Sequence, residues 1–238
     1  MNKPSVSTNG WAFCRVAQTT GTSSSPLRSL CYLNVSELSQ SCPEALSHTG
    51  RQAVDWLADY RSDVRKYSQL NNGSSLKQVL TQQGLWVLLQ YRVERALYLS
   101  NLPFVVKRPL QWATIIWHKL IEITTGVDFP CTAKIGSGMH LPHCGNIVVH
   151  GDAVIGNDCC LSQGVTIGIS GRGSRRGVPA LGNRVYVGVN AVIVGPITVG
   201  DGSLIGANSL VNRDVPPNCT VVGVPSIVVS RQGSEGYI

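Results

Sequence analysis

The segment "GMHLPHCGNIVVHG" (residues 138–151) places three histidines, His140, His143 and His150, within eleven residues of a 238-residue chain. Imidazole is the side chain best suited to take or give a proton near neutrality, because its unperturbed pKa lies in that range. Three imidazoles together also raise the question of a metal ion. Elsewhere, cysteine is the other residue type with chemistry to offer. The eight cysteines, at 14, 31, 42, 131, 144, 159, 160 and 219, form no CxxC pair, and the adjacent Cys159 and Cys160 are poorly spaced for zinc. They read as free thiols of a reducing compartment. The histidines stand out by position, because their segment interrupts a six-residue repeat.

Aliphatic residues fall at Ile135 and Leu141, then after eight residues at Val149, then at Ile155, Leu161 and Ile167. A fourteen-residue step across "GISGRGSRRGVPA" leads to Leu181, Val187, Ile193, Val199, Ile205 and Val211. Gly often follows the aliphatic residue, and a small or branched side chain comes four residues after it, as at Cys159, Val165, Val185, Ala191, Ile197, Ser203 and Ser209. Six is too long for a helical turn and too regular for hairpins, which predicts a solenoid. Each hexad supplies one short strand and a corner that Gly or Asn permits. Three hexads close a triangular coil, and stacked coils bury a continuous aliphatic column.

Helical spacing comes before the repeat. Val54, Leu57, Tyr60, Val64 and Tyr67 recur every three or four residues. Asn71-Asn72-Gly73 breaks that helix, and Leu76, Val79 and Leu80 mark a second one ahead of Gly84. "LWVLLQYRVERALYL" (85–99) is apolar almost all round and predicts a buried helix. Pro103 and Pro109 are expected to bound a loop. Leu110, Ala113, Thr114, Trp117, Leu120 and Ile121 form a further apolar stripe. The expected organisation is a disordered Ser/Thr-rich segment (1–49), a helical domain (50–123), the solenoid (124–228) and a C-terminal tail (229–238). Residues 1–45 contain no acidic residue before Glu37, so a transit peptide, and with it an organellar location, is the lesser alternative to a cytoplasmic one.

The net charge of +7 is concentrated in residues 46–125, with ten basic and five acidic side chains. No basic run is dense enough for a nucleic-acid footprint, and no apolar run approaches the ~18 residues that a bilayer requires. Neither a nucleic-acid nor a membrane partner is expected. A mild positive surplus suits an anionic small molecule, and equally a solvated helix face.

The repeat, the "VTIG" before its long loop, "VYVGVNAVIVGPITVGDGSLIGANSLVNRDVPPN" and the ending "VVGVPS" resemble the left-handed parallel β-helix acyltransferases. A helical domain ahead of "TTGVDFPCTAKIGSGMHLPH" makes the chain similar specifically to the serine acetyltransferases. The resemblance implies an N-terminal α-helical domain followed by a left-handed parallel β-helix. It implies acetyl transfer from acetyl-CoA, a cosubstrate, to a small hydroxyl-bearing acceptor, with no permanently bound cofactor and no metal. The acceptor it implies is L-serine, giving O-acetyl-L-serine for cysteine biosynthesis. Assembly would be a homotrimer or a dimer of trimers with sites between subunits.

Residue by residue, His143 matches the family's catalytic histidine, and Asp128 matches the carboxylate that holds its imidazole. Gly168, Gly188 and Ala207 match positions where the acetyl-CoA arm approaches the backbone, and Val189 stands where the family usually has Ala. Arg172, Arg175 and Arg176 lie in the long loop, where CoA phosphates are one partner and solvent the other. His140 and His150 are expected to be surface polar residues, because their spacing does not fit the zinc set of hexapeptide-fold carbonic anhydrases. Ile238 matches the C-terminal isoleucine through which the family docks with O-acetylserine sulfhydrylase. Four residues bear on the acceptor. Pro142 replaces an Asp of the family, Gly177-Val178 replace Arg-His, and Asp63 lies near a third acceptor-binding position. An acetyltransferase for a sugar hydroxyl or amine in polysaccharide modification is therefore the alternative, and a non-enzymatic trimeric scaffold is a third reading.

Overall fold

A computed structural model describes residues 55–71 and 74–238. It begins with helices α1 (Trp56–Asn71), α2 (Ser75–Thr81), α3 (Gln83–Leu99) and α4 (Phe104–Thr125). Short strands follow: β1 (Val127–Asp128), β2 (Lys134–Ile135), β3 (Ile147–Val149), β4 (Val154–Ile155), β5 (Cys160–Leu161), β6 (Thr166–Gly168) and β7 (Ala180–Leu181). The remainder are β8 (Tyr186–Val187), β9 (Val192–Val194), β10 (Thr198–Val199), β11 (Leu204–Ile205), β12 (Leu210–Val211), β13 (Thr220–Val222) and β14 (Ile227–Ser230). The expected segments 1–49 and the start of the helical domain lie outside the described residues.

The strands stack into three faces of a prism. The first holds β1, β3, β6, β9 and β12, the second β2, β4, β7 and β10, and the third β5, β8, β11, β13 and β14. Pairing between coils is parallel, with β14 alone turning back antiparallel onto β13. Every aliphatic hexad position from Ile135 to Val211 points inward and is at most 6% exposed. The secondary positions from Cys159 to Ser209 are buried with them. At the corner between the second and third faces a side-chain ladder ties the coils. Asn157 Oδ1 accepts from Ser137 N–H, Asn183 Oδ1 from Asn157 N–H, and Asp201 Oδ1 from Asn183 N–H, each at 2.8–2.9 Å. Asn and Asp recur at corners because one oxygen can satisfy a backbone donor of the neighbouring coil.

A bare β-helix ends in a row of unpaired backbone groups, which is costly if buried unsatisfied. Here the helices supply the partners. The Tyr67 hydroxyl donates to the Leu141 carbonyl and accepts the Leu141 N–H, both at 2.9 Å. Tyr91 does the same one face earlier, donating to Ala133 O (2.8 Å) and accepting from Ile135 N–H (3.0 Å). Arg92 donates to the carbonyls of Ile135 (2.7 Å) and Gly136 (2.6 Å) and forks onto both oxygens of Asp63. Asp63 Oδ1 also accepts from Met139 N–H at 2.9 Å. Gly84 lets α3 come this close, since a Cβ there would lie 2.1 Å from the Tyr67 hydroxyl.

Three helical expectations are corrected. Pro103 and Pro109 do not bound a loop: α4 starts directly after Pro103 and runs through Pro109. Pro109 sits in the second turn, where it forfeits one ladder bond, to the carbonyl of the exposed residue Val105, which water can serve. The stripe assigned to α4 is also rotated. Thr114, His118, Ile121 and Thr125 face the molecule, whereas Leu110 and Leu120 are exposed, as are Trp112, Ile116 and Ile123. Likewise α3 buries Leu85, Val87, Leu88 and Tyr91 but exposes Trp86, Tyr98 and Leu99, so it is one-sided rather than enclosed.

Burial pushes the Asp63 carboxyl up to about 6, against the pull of Arg92 and the Met139 amide. Both side chains of the pair are at most 2% exposed. Truncating one partner leaves the other charge buried alone, which typically costs about 3–5 kcal/mol. Arg92→Ala should therefore lose about that much stability in urea unfolding, and Tyr91→Phe about 1–3 kcal/mol through its stranded partners. A loss under 1 kcal/mol for Arg92→Ala would show that the helices do not cap the coil.

Candidate functional site

The extra residues of the first coil are absorbed at one corner. Leu141 and Val149 both stay inside, and the chain between them turns through Pro142–Asn146, with Gly145 at φ +129° and Asn146 at φ +51°. Such angles suit Gly and Asn far better than other residues. The corner joins the third face to the first, and His143 sits exposed at its tip. The same edge continues upward through later coils, as Gly164 N–H bonds Gly145 O (2.8 Å), Asn190 N–H bonds Gln163 O (3.0 Å) and Asn208 N–H bonds Val189 O (2.8 Å).

Gly188 and Ala207 lie on this edge too, one coil apart. The structure thus brings His143, Gly188 and Ala207 along one ridge. Gly188 must be Gly for the chain's own packing, because a Cβ would lie 2.7 Å from Ala207 N and 2.9 Å from Ile205 O. Gly168 differs. It closes β6 on the first face, and a Cβ there would meet only Val194 and Thr166 side chains at 3.6–3.8 Å. Its own fold therefore does not demand Gly, leaving room for something approaching from outside.

Asp128 points outward from the first face, where β1 pairs with β3 so that Asp128 lies beside Val148. Its carboxylate is 42% exposed. Its Oδ1 lies 3.2 Å from His118 Nε2, and the hydrogen bonds among the described residues include none between Asp128 and His143. Both residues nevertheless flank the same face, Asp128 on its outer surface and His143 at the corner that feeds it.

The long loop leaves the end of β6. Ser170 and Gly177 exchange both backbone hydrogen bonds at 3.0 Å, so the loop stands on a two-residue neck. Residues 169–176 are exposed, and with them Arg172, Arg175 and Arg176. Among the described residues no cluster of His, Cys, Asp or Glu has metal-binding geometry.

The other two histidines part company. His150 is a surface residue, 33% exposed, whose Nδ1 accepts from Asp152 N–H. His140 is not. It is packed edge-on against Tyr67 with ring centroids 4.7 Å apart, its Nδ1 is 3.6 Å from Cys160 Sγ, and its backbone bridges the next coil. The helical cap reaches over this position, which a coil-by-coil reading of the sequence cannot show. Asp63 is likewise closed to any acceptor, being fully buried and committed to Arg92 and Met139.

Two residues of the site were not singled out by sequence. His118, on α4, contacts Asp128, and only the fold joins them. Gln163 lies on the His143 edge with a buried Oε1 that has no hydrogen-bond partner among the described residues. The glutamine precedes a Gly within the repeat, where only its polarity in an otherwise small-residue corner marked it.

Residues 179–213 match the family model described as bacterial transferase hexapeptide (six repeats). A serine acetyltransferase of Synechococcus elongatus is 36% identical over 176 residues, covering 74% of this chain and 68% of that protein. One from Bacillus subtilis is 30% identical over 185 residues, covering 78% of each. Among solved structures, the serine acetyltransferase of Neisseria gonorrhoeae superposes with a TM-score of 0.64 at 30% identity, over 74% of this chain and 66% of that one. A serine acetyltransferase solved in complex with CoA gives 0.62 at 28% identity, over 73% and 69%. The chain thus spans about two thirds of the length of these solved relatives. The solenoid is the left-handed parallel β-helix of the hexapeptide-repeat transferases. The chain belongs to the serine acetyltransferase family.

Burial holds the His140 pKa down to about 4, helped by the neighbouring Lys66 and His143 charges. Its folded value is depressed, so the stability it contributes is full above about 6.5 and is lost as pH falls towards 4, where the unfolded chain takes up a proton that the fold refuses. The difference in unfolding midpoint between the native chain and His140→Gln should shrink on that acid side. A pH-independent difference would show that His140 titrates freely.

Proposed function

We propose that this chain transfers the acetyl group of acetyl-CoA to the hydroxyl of L-serine, giving O-acetyl-L-serine and CoA. The observation that carries the reading is the corner at Pro142–Asn146, which breaks the six-residue repeat to set an exposed His143 beside the face that bears Asp128. In this mechanism His143 accepts the hydroxyl proton as the serine oxygen attacks the thioester carbonyl. The C–S bond then breaks, and the imidazolium returns its proton to the departing thiolate. Thiolate leaves readily, so a base and a binding groove suffice. Asp128 stabilises the imidazolium, as in other His–Asp pairs. The ridge of Gly188 and Ala207, with Gly168, would take the pantetheine arm, and the loop arginines would meet the phosphates.

The acceptor half rests on fewer residues. Pro142, Gly177 and Val178 offer no charge for an amino acid's ammonium or carboxylate, and Asp63 is sealed. That observation favours a sugar hydroxyl or amine as the second reading. Assembly as a homotrimer or dimer of trimers is supported by the apolar outer face of α4, whose Val105, Trp112, Ile116 and Ile123 are each more than half exposed in the single chain. A cytoplasmic location accords with five free cysteines among the described residues. No helix among those residues is long and apolar enough to cross a membrane. Docking to O-acetylserine sulfhydrylase would use Ile238, which lines a cleft of about 560 Å³ with Arg184, Asn218 and Arg231 and would have to leave it. Deleting Ile238 should then abolish capture of that enzyme.

Thiol release from acetyl-CoA, measured with serine and with a panel of sugars, tests the reading. Turnover with serine alone supports it; turnover with sugars alone replaces it by the alternative, and none with any acceptor leaves the scaffold. On folded assembly, His143→Ala should lower kcat by about 10²–10⁴ with little change in acetyl-CoA affinity. Asp128→Asn should be milder, and the native rate should rise with pH through one ionisation and then flatten. Full kcat in His143→Ala would remove His143 from the mechanism.

A further inference from the structure

The side chain behind Asp128 is an imidazole with a carboxylate at each ring nitrogen. His118 Nδ1 lies 3.0 Å from Glu94 Oε2, and its Nε2 lies 3.2 Å from Asp128 Oδ1. The Gln90 side-chain amide donates to the same Glu94 oxygen, fixing it from α3. His118 is 17% exposed and Glu94 13%. The Gln90 amide nitrogen also lies 3.2 Å from His118 Nδ1. A neutral imidazole has one N–H and would turn a lone pair toward one of the two carboxylates. Only the doubly protonated ring donates to both carboxylates.

We propose that His118, held as an imidazolium between Glu94 and Asp128, is a positioning residue that orients Asp128 and partly neutralises it behind the base. This rests on the acetyl-transfer reading, with Asp128 and His143 in the roles given above. With Oδ1 committed to His118, the second oxygen of Asp128 is the one left to face another donor. A cation already in contact with that carboxylate weakens its pull on a second imidazolium. His118 therefore sets both where Asp128 points and how strongly it raises the basicity of His143.

The charges around the ring are few. Glu94 faces it from α3 and Asp128 from β1. Lys119 and Glu122, on α4 itself, pair with each other at the surface. Cys131 lies near Glu94, and burial pushes its thiol up to about 11, so it adds no charge near neutrality. Arg95 is directed at the carbonyls of Cys131 and Ala133. The hydrogen bond that His118 donates to Glu94 is the largest cause raising its pKa, with Asp128 adding to it and burial opposing.

The test pairs two substitutions. In folded assembly, His118→Ala should lower kcat on the order of tenfold, as expected when an oriented group loses its support, while KM for acetyl-CoA stays put. The acid limb of the kcat/KM profile should move to higher pH, because Asp128 regains its full charge. His118→Gln keeps one N–H toward Asp128 without the charge, so it should restore most of kcat but leave the acid limb displaced. A purely structural role would lower the melting temperature and leave the limb where it was. Unchanged kcat and an unchanged limb in His118→Ala would overturn the proposal. NMR titration of His118 reads the clamp without turnover: its midpoint should lie above that of a free histidine and fall in Glu94→Gln. An ordinary midpoint insensitive to Glu94→Gln would also overturn it. Native protein that cleaves no acetyl-CoA would instead sink the acetyl-transfer reading, and the NMR titration would still decide the clamp.

Discussion

The open edge of the first β-helical coil is the constraint around which the molecule is built. Its backbone donors and acceptors have no preceding coil to pair with, and the helices answer them with Tyr67, Tyr91, Arg92 and Asp63. These are polar and charged side chains placed at the heart of an interface, each satisfied on every side that the chain can supply. Burying the ion pair is costly in itself, and that cost is offset because each member also bonds backbone that would otherwise be stranded. The same side chains fix α1 and α3 in register with residues 133–141, so the helices cannot slide along the prism.

That register reaches the site. The capped coil is the one whose corner carries His143, and Leu141, the last residue before the corner, is held at both its N–H and its carbonyl by Tyr67. An array of repeats is weakest at its ends, and a bulged corner in an end coil would be its loosest point. Here the end coil is held firmly just before the bulge. On the other side of the corner, Gly126 lets β1 approach Asn146 closely, since a Cβ at Gly126 would lie 2.9 Å from Asn146 N. The site is therefore positioned by contacts on both flanks, and the turn between them supplies only the excursion.

The sequence carried the coil and its inward residues, because one aliphatic residue per strand and one corner per hexad leave a period that nothing else imitates; the left-handed turn came only by resemblance. It carried the break for the same reason. It did not carry what lies between distant segments. Asp63 looked like a residue for an acceptor, and His140 like a solvated turn residue, since nothing local says that a helix will lie over either. Periodicity in α4 marked apolar residues at helical spacing but not which side the rest of the chain would cover, and the covered side proved to be the more polar one. His118 and Glu94 are 24 residues apart on separate helices, and no spacing rule joins them. Gly168, Gly188 and Ala207 were singled out by resemblance, and the structure gives the two glycines different causes. Gly188 answers the next coil, while Gly168 is smaller than its own surroundings require.

The outer face of α4 has a further consequence. A chain that folds alone leaves Trp112, Ile116 and Ile123 in water, so part of the free energy that apolar burial could supply is not realised within one molecule. If copies of the chain cover that face, the remainder is collected only on meeting, and the tolerance of the protein to heat becomes a property of its concentration. Dilution would then act as a denaturant, loosening first the helix that holds His118 against Asp128.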